Sequence, residues 1–121
     1  MIVIADTTPL NYLVLIGESE LLPTLYGGVV IPTAVLMELR ARGAPAPVRE
    51  WATSPPSWLR VERVDPAFLT DTALDLDPGE LEAIALARQF HAELLEIDDQ
   101  AGRREARRWN LTVPQHGRRA G

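Results

Sequence analysis

The sequence predicts an α/β protein built around a central parallel sheet, and two features support this. Residues 2–5 and 29–31 are short apolar runs without polar interruption, which are typical of strands buried on both faces. A helix start signal follows each run, so strands and helices alternate along the chain. Because helical crossovers separate consecutive strands, the strands are expected to lie parallel to one another.

In the first half of the chain, threonine, proline and glycine residues set the predicted helix boundaries. Threonine caps a helix, proline suits its first turn, and glycine commonly ends it. The elements predicted from these signals are a strand at residues 2–5, a helix from the Thr7-Thr8-Pro9 start to residue 17, a short helix at 19–26, a strand at 29–31, a helix from 32 to about 42, and a short helix at 48–53 within the proline-rich stretch 44–57.

The second half continues the same alternation. Its strongest helix opens at Asp77-Pro78-Gly79, where a capping residue and a proline precede a helical apolar pattern. The predicted elements are a more exposed strand at 58–64, a helix from about 80 to 90, a strand at 93–97, an amphipathic helix from about 100 to 109, and a last strand at 111–113. Because no repeat or long linker divides the chain, residues 1–113 are expected to form one domain, followed by an irregular basic tail at 114–121.

Composition excludes several classes of protein. The chain has 121 residues, 46% of them hydrophobic, and no cysteine, which excludes a disordered chain, a disulfide framework and a thiolate metal site. Because no apolar run reaches the roughly 18 residues of a membrane span and no signal peptide is evident, a cytoplasmic location is expected. The net charge of −5 argues against a general nucleic-acid coat protein, although all twelve basic residues are arginine.

Four acidic residues are expected to meet at one edge of the sheet. Asp6 follows the first strand and Asp98 follows the fourth, and sites in open parallel sheets form beyond these carboxyl ends. Glu38 lies in the helix after the second strand, and Glu80 lies in the first turn of the helix before the fourth. Carboxylate oxygens are the ligands that Mg²⁺ and Mn²⁺ prefer. Their joint position therefore predicts a divalent-metal site.

Each acid also has a structural explanation when it is considered alone. Glu80 can complement the positive end of its helix dipole, and Asp98 or Asp99 can cap the following helix. Glu38 can be a solvated helix residue, and Asp6 can be a helix cap. The pattern of four acids, rather than any single one, favours a metal site.

Four segments occur in an order that resembles the PIN-domain superfamily, especially its small prokaryotic branch related to the VapC toxins. The segments read DTTPLNYL from Asp6, VVIPTAVLMEL from Val29, DPGELEAIALA from Asp77, and LLEIDDQAGRREA from Leu94, and the resemblance extends over about residues 2–113. The resemblance implies a Rossmann-like three-layer α/β/α fold and a ribonuclease that depends on Mg²⁺ or Mn²⁺.

The resemblance also implies roles for individual residues. The metal-binding and catalytic acids correspond to Asp6, Glu38, Glu80 and Asp98, with Asp99 as a competitor for the last position because the two aspartates are adjacent. Two further groups are expected to contact metal-bound water or RNA phosphate: the hydroxyls of Thr7 and Thr8, and the arginines Arg103, Arg104 and Arg107. A solvated helix face is the alternative interpretation of the arginines.

Two functional hypotheses follow. The first is a metal-dependent endoribonuclease that acts as the toxin-like member of a toxin–antitoxin pair, restrained by a small antitoxin protein. The second is a non-catalytic, degenerate PIN-fold interaction module. Family members usually continue beyond the last strand with further helical sequence, so this chain is expected to be shortened at its C-terminus, to expose apolar surface and to form a homodimer.

Overall fold

The computed structural model describes residues 1–70 and 75–114, and this part of the chain contains a four-stranded sheet with helices on both faces. The strands are β1 (Val3–Ala5), β2 (Val29–Pro32), β3 (Leu59–Glu62) and β4 (Leu94–Glu96). The helices are α1 (Thr7–Leu15), α2 (Leu21–Tyr26), α3 (Thr33–Leu39), α4 (Ala46–Thr53), α5 (Pro78–Gln89) and α6 (Gln100–Arg108), with a 3₁₀ turn at Pro66–Leu69.

The sheet is parallel throughout, and its strand order is β3-β2-β1-β4. Strands β1 and β2 are fully buried, as their uninterrupted apolar sequences predict. The edge strand β3 exposes Arg60 and Val61, which matches the charged residues that interrupt its sequence. The predicted α/β fold with a parallel sheet is therefore confirmed.

Alternation of side chains along the strands divides the interior into two hydrophobic cores. Val3 and Ala5 point to one face of the sheet, while Ile4 between them points to the other. The face that contains Val3 packs against residues of α1, α2, α3 and α4, and the face that contains Ile4 packs against α5 and α6. Helices on both faces of one sheet form the expected three layers.

The main differences from the predicted elements concern α1, α3 and residues 111–113. Helix α1 begins at Thr7, with Asp6 rather than a threonine at the capping position. Helix α3 ends at Leu39, three residues before the predicted end. Residues 111–113 do not form the predicted last strand, although the Leu95 amide donates a backbone hydrogen bond of 2.9 Å to the Thr112 carbonyl.

Most of the predicted basic tail, residues 115–121, lies outside the described residues, and so do His116, Arg118 and Arg119. Within residues 1–70 and 75–114, none of the helices has the length and apolar character that crossing a bilayer requires.

Candidate metal centre

The first acid of the predicted site is buried at the carboxyl end of β1. The Asp6 amide donates a hydrogen bond of 2.9 Å to the Glu96 carbonyl, which extends the pairing of β1 and β4 by one residue. Only 3% of the Asp6 surface is exposed, and its Oδ1 accepts no hydrogen bond from the part of the chain that the structure describes. Burial of a carboxylate oxygen without a donor is costly, so Asp6 is a strong candidate for binding a cation.

The surroundings of Asp6 disfavour its charge. The pKa of Asp6 is raised from 3.8 to about 7, and burial is the largest cause. The negative charges of Asp77, Glu80 and Glu38 also raise this pKa, while the hydrogen bond from the Thr7 amide lowers it. Three acids from α3 and the start of α5 therefore lie close enough to repel Asp6. Acids from separated segments of the chain thus lie near Asp6.

Glu38 is held in place by two donors from different elements. Its Oε1 accepts a hydrogen bond of 2.5 Å from the Thr7 hydroxyl, and its Oε2 accepts one of 2.9 Å from the Gly79 amide. A Cβ atom on Gly79 would lie 2.5 Å from Glu38 Oε1, so a larger residue at this position would displace the Glu38 carboxylate. The sequence therefore positions Glu38 through the Asp77-Pro78-Gly79 helix start.

Glu80 forms a capping box at the start of α5. The Glu80 amide donates to Asp77 Oδ1 at 2.8 Å, and the Asp77 amide donates back to Glu80 Oε1 at 3.2 Å. Burial raises the pKa of Glu80, and the charges of Asp77 and Asp99 raise it further, although the hydrogen bond from the Asp77 amide lowers it. Glu80 thus combines the helix-start role considered above with a place in the acidic cluster.

The adjacent aspartates after β4 lie in different surroundings. Asp99 caps α6 by accepting a hydrogen bond of 3.1 Å from the Gly102 amide, and it also interacts with Glu80. Asp98 is exposed and lines a groove between α1, α2 and β4. Asp99 is therefore an electrostatic neighbour of Glu80, whereas the charges that act on Asp6 are those of Asp77, Glu80 and Glu38.

Residues 2–115 match a family model described as a PIN domain. The chain belongs to the PIN-domain family. No curated protein matches it.

The predicted substrate-binding residues of this PIN domain occupy unlike positions. Thr8, Arg104 and Arg107 are exposed, as a contact with phosphate requires, whereas Thr7 is half-buried and bonded to Glu38. Arg103 is only 5% exposed, and its guanidinium donates to the carbonyls of Ile97 at 2.9 Å and Pro114 at 2.6 Å. The prediction that Arg103 lies on a surface beside the metal site is therefore wrong, because its donors face backbone carbonyls inside the domain.

Sequence reasoning missed three residues that shape this sheet edge. Asp77 and Gly79 were recognised as a helix start, but not as neighbours of the acids. Their signal was the adjacency of a cap, a proline and a glycine directly before Glu80. Glu96 was missed because its strand reads as apolar, yet it is 4% exposed and accepts a hydrogen bond of 2.8 Å from the Tyr26 hydroxyl. Nothing in the sequence pairs residues 26 and 96.

The donor chemistry of the PIN-domain centre fits a hard divalent cation. Its side chains offer carboxylate and hydroxyl oxygens, which are the ligands of Mg²⁺ and Mn²⁺, and the buried Asp6 Oδ1 is an oxygen in need of a positive partner. Across residues 1–70 and 75–114, however, no three histidine, cysteine or acidic side chains are arranged as a complete metal-binding group. In this structure the carboxylates of Glu38 and Glu80 accept hydrogen bonds from protein donors instead.

Proposed function

We propose that this PIN domain is a ribonuclease that depends on Mg²⁺ or Mn²⁺. Membership of the family supports a nuclease-type function in general. The observation that carries the proposal is the buried Asp6, whose Oδ1 accepts no hydrogen bond from the described residues and whose neighbours are Glu38, Glu80 and Asp77. Several acids around one buried carboxylate destabilise the folded protein unless a cation offsets their charge, so the arrangement is better explained by metal binding than by packing.

Each acid has a distinct part in the proposed site. Asp6 would provide a ligand oxygen, and Glu80 and Asp99 would provide oxygens from the starts of α5 and α6. Glu38 would hold metal-bound water, while Thr7 and Gly79 fix the orientation of its carboxylate by hydrogen bonds. When bound, the cation supplies an acidified water as nucleophile and offsets charge on the phosphate in the transition state.

Asp98 is the alternative to Asp99 in this proposal. Asp99 is favoured because it interacts with Glu80, whereas Asp98 lines the groove between α1, α2 and β4. Asp99→Asn is therefore expected to weaken Mn²⁺ binding more than Asp98→Asn does.

Exposed arginines on α6 hold the RNA. Arg104 and Arg107 follow Asp99 in the same helix and are exposed, so their guanidinium groups are available to solvent beside the acidic edge. Arginine binds phosphate with paired donors, which offsets the repulsion between RNA and a chain with a net charge of −5. The exposed Thr8 adds a hydroxyl at the start of α1.

The proposal includes a toxin-like role in the cytoplasm, with a small antitoxin protein as partner and a homodimer as the assembled form. The supporting feature is an apolar surface on α1 and α2, where Leu15, Ile16 and Leu25 are between 49% and 65% exposed. Apolar side chains exposed together are typical of protein interaction surfaces.

A cleavage assay tests the proposed activity directly. Wild-type protein with Mn²⁺ or Mg²⁺ is expected to cut a structured RNA, and Asp6→Asn is expected to cut more than about 100-fold more slowly, since loss of a supporting residue alone costs 10- to 100-fold. Glu50→Gln, a neutralised acid on the exposed side of α4, is the matched control and should cut like wild type. Equal cleavage by the wild type and Asp6→Asn contradicts the assignment of the site.

A thermal-shift measurement without RNA separates this proposal from the alternative of a non-catalytic interaction module. The alternative is favoured by the hydrogen bonds that already occupy both oxygens of Glu38. A bound ion at about 100 times its dissociation constant stabilises the fold by about 2.7 kcal/mol. We expect Mn²⁺ to raise the melting temperature of the wild type and of Glu50→Gln, but not that of Asp6→Asn. If the wild type shows neither cleavage nor a Mn²⁺-dependent rise in melting temperature, the interaction module is the better explanation.

A further inference from the structure

Strand β3 (Leu59–Glu62) is an edge strand of the sheet in the part of the chain that the structure describes. At the opposite edge, β4 is followed by a further backbone contact, a hydrogen bond of 2.9 Å from the Leu95 amide to the Thr112 carbonyl. Beyond β3 the chain instead turns toward α5, where the Arg88 guanidinium donates to the Phe68 carbonyl at 3.3 Å. The backbone groups on the outer side of β3 are thus candidates for pairing with another strand.

The hydrogen bonds of the parallel sheet show which backbone groups of β3 face outward. The Val29 amide donates to the Trp58 carbonyl at 3.0 Å, and Val29 is in register with Leu59. The peptide groups of successive residues in a strand point to opposite sides, so Arg60 directs its N–H and C=O toward β2. Val61 therefore directs its N–H and C=O away from β2, and its side chain is 39% exposed.

The two charged residues of β3 lie on either side of Val61. Because Arg60 and Glu62 are two residues apart, their side chains point to the same face of the sheet, where they form an ion pair. The Arg60 side chain is 67% exposed and that of Glu62 is 31% exposed, so both can contact another chain. Opposite charges placed symmetrically about Val61 make this edge complementary to a second copy of itself in the antiparallel direction.

We propose that β3 pairs with β3 of a second copy in an antiparallel arrangement, with the two-fold axis at Val61. In this register the Val61 N–H of each copy donates to the Val61 C=O of the other, and Arg60 lies opposite Glu62 of the second copy. A two-fold axis at either neighbouring residue would place Arg60 opposite Arg60 or Glu62 opposite Glu62. Like charges directly opposite each other destabilise a sheet, so the charge pattern selects the register centred on Val61.

This pairing assigns a surface to the homodimer of the proposed function, and it rests on that part of the proposal. It joins the sheets of two copies into one continuous sheet and brings the exposed Val61 side chains together. A contact between two short edge strands is small among protein interfaces, so we expect a dissociation constant in the micromolar range. The competing arrangement is a dimer built on the apolar surface of α1 and α2.

Sedimentation equilibrium of the full chain in EDTA measures the dimer without metal or RNA. We expect the wild type to approach twice the chain mass of 13.4 kDa as its concentration rises through the micromolar range. Arg60→Glu and Glu62→Arg each place like charges opposite each other in both symmetric pairs, so each should weaken dimerisation by about tenfold or more. An equimolar mixture of the two variants should dimerise like the wild type, because the acids of one chain then face the arginines of the other. A change in the folding of either chain alone cannot produce this recovery.

Three further variants test the backbone contact and the location of the interface. Val61→Pro removes an N–H that points away from β2, so it should weaken dimerisation about tenfold and leave the circular dichroism spectrum unchanged. Arg42→Glu, a matched charge reversal in the exposed turn after α3, should dimerise like the wild type. Leu25→Arg, which changes a side chain of α2 that is 65% exposed, should also dimerise like the wild type.

The outcomes separate this inference from the nuclease proposal. A monomeric wild type, or a mixture of Arg60→Glu and Glu62→Arg that dimerises no better than its components, overturns the β3 interface even if metal-dependent cleavage is found. A dimer that Leu25→Arg abolishes and Arg60→Glu retains also overturns it and places the interface on α2. Recovery of the dimer in the mixture supports β3 pairing, and a lack of cleavage would then contradict only the nuclease.

Discussion

Asp6 and Glu96 are two buried carboxylates at one sheet edge, and their surroundings differ. Both side chains are less than 5% exposed, and a backbone hydrogen bond joins the two residues. The Glu96 carboxylate accepts a hydrogen bond from the Tyr26 hydroxyl, whereas Asp6 Oδ1 accepts none from the described residues and has Asp77, Glu80 and Glu38 as charged neighbours.

The comparison shows what burial of an acid indicates about its role. A buried charge destabilises the folded protein unless a donor or an opposite charge compensates it. Around Glu96 the protein itself supplies a donor, so the charge is compensated within the fold. Around Asp6 the protein adds further acids, so compensation must come from a proton or a cation. Burial alone therefore does not identify a metal ligand. The neighbours distinguish the two cases, because Glu96 has a hydrogen-bond donor and Asp6 has further acids.

The largest expected effect concerns the pH dependence of stability in EDTA. The pKa of Asp6 is raised from 3.8 to about 7, so the folded protein holds a proton that the unfolded chain releases. Stability is therefore greatest at low pH and is lost as pH rises toward 7, by roughly 4 kcal/mol for Asp6 alone, and the raised pKa of Glu80 adds in the same direction. Urea unfolding of the wild type should show a lower free energy of unfolding at pH 8 than at pH 4.5.

Two variants show whether this pH dependence belongs to Asp6. Asp6→Asn cannot ionise, so most of the difference between pH 4.5 and pH 8 should disappear. Glu96→Gln should retain it, because the buried charge at that position is already compensated by a donor. Identical pH dependence in the wild type and Asp6→Asn would show that the two buried acids do not differ as described.

Much of the fold, and the identity of the main acids, could be predicted from sequence because both depend on local patterns. Apolar runs identify buried strands, and an acid directly after such a run must lie at the sheet edge, which located Asp6. The choice between Asp98 and Asp99 could not be made, because a shift of one residue after a strand reverses the side on which a side chain lies.

The position of Arg103 could not be predicted for a different reason. The inward face of α6 includes the charged residues Arg103 and Glu105 beside Gly102 and Ala106, so the amphipathic pattern alone does not show that these two side chains are buried. The contacts of Glu38 with Gly79 and of Glu96 with Tyr26 join residues 41 and 70 positions apart. Pairings of this kind depend on how helices pack on the sheet, and no local pattern encodes them.

A smaller effect is expected when a larger residue replaces Gly79 beside Glu38, in the acidic cluster around Asp6. Gly79→Ala places a Cβ 2.5 Å from Glu38 Oε1, so the Glu38 carboxylate has to move away from the start of α5. Overpacking of this kind costs about 3 kcal/mol, and cleavage should fall about 10- to 100-fold because Glu38 loses its orientation. Gly43→Ala is the control, since a Cβ there meets open space. If Gly79→Ala unfolds in urea and cleaves RNA like Gly43→Ala, the close approach of α5 to Glu38 is not required.

The smallest effect is expected from making Glu96 resemble Asp6. Tyr26→Phe removes the hydroxyl that donates to Glu96 Oε2 and keeps the ring, so a buried carboxylate loses a donor without a change in packing. Loss of a hydrogen bond to a charged group should lower the free energy of unfolding at pH 8 by about 2 kcal/mol. Tyr12→Phe is the matched control, because its side chain is 61% exposed and solvent replaces the lost contact of its hydroxyl. Equal stability of Tyr26→Phe and Tyr12→Phe at pH 8 would show that the Tyr26 hydroxyl does not compensate the charge of Glu96. The difference between the two buried acids would then depend only on the charged neighbours of Asp6.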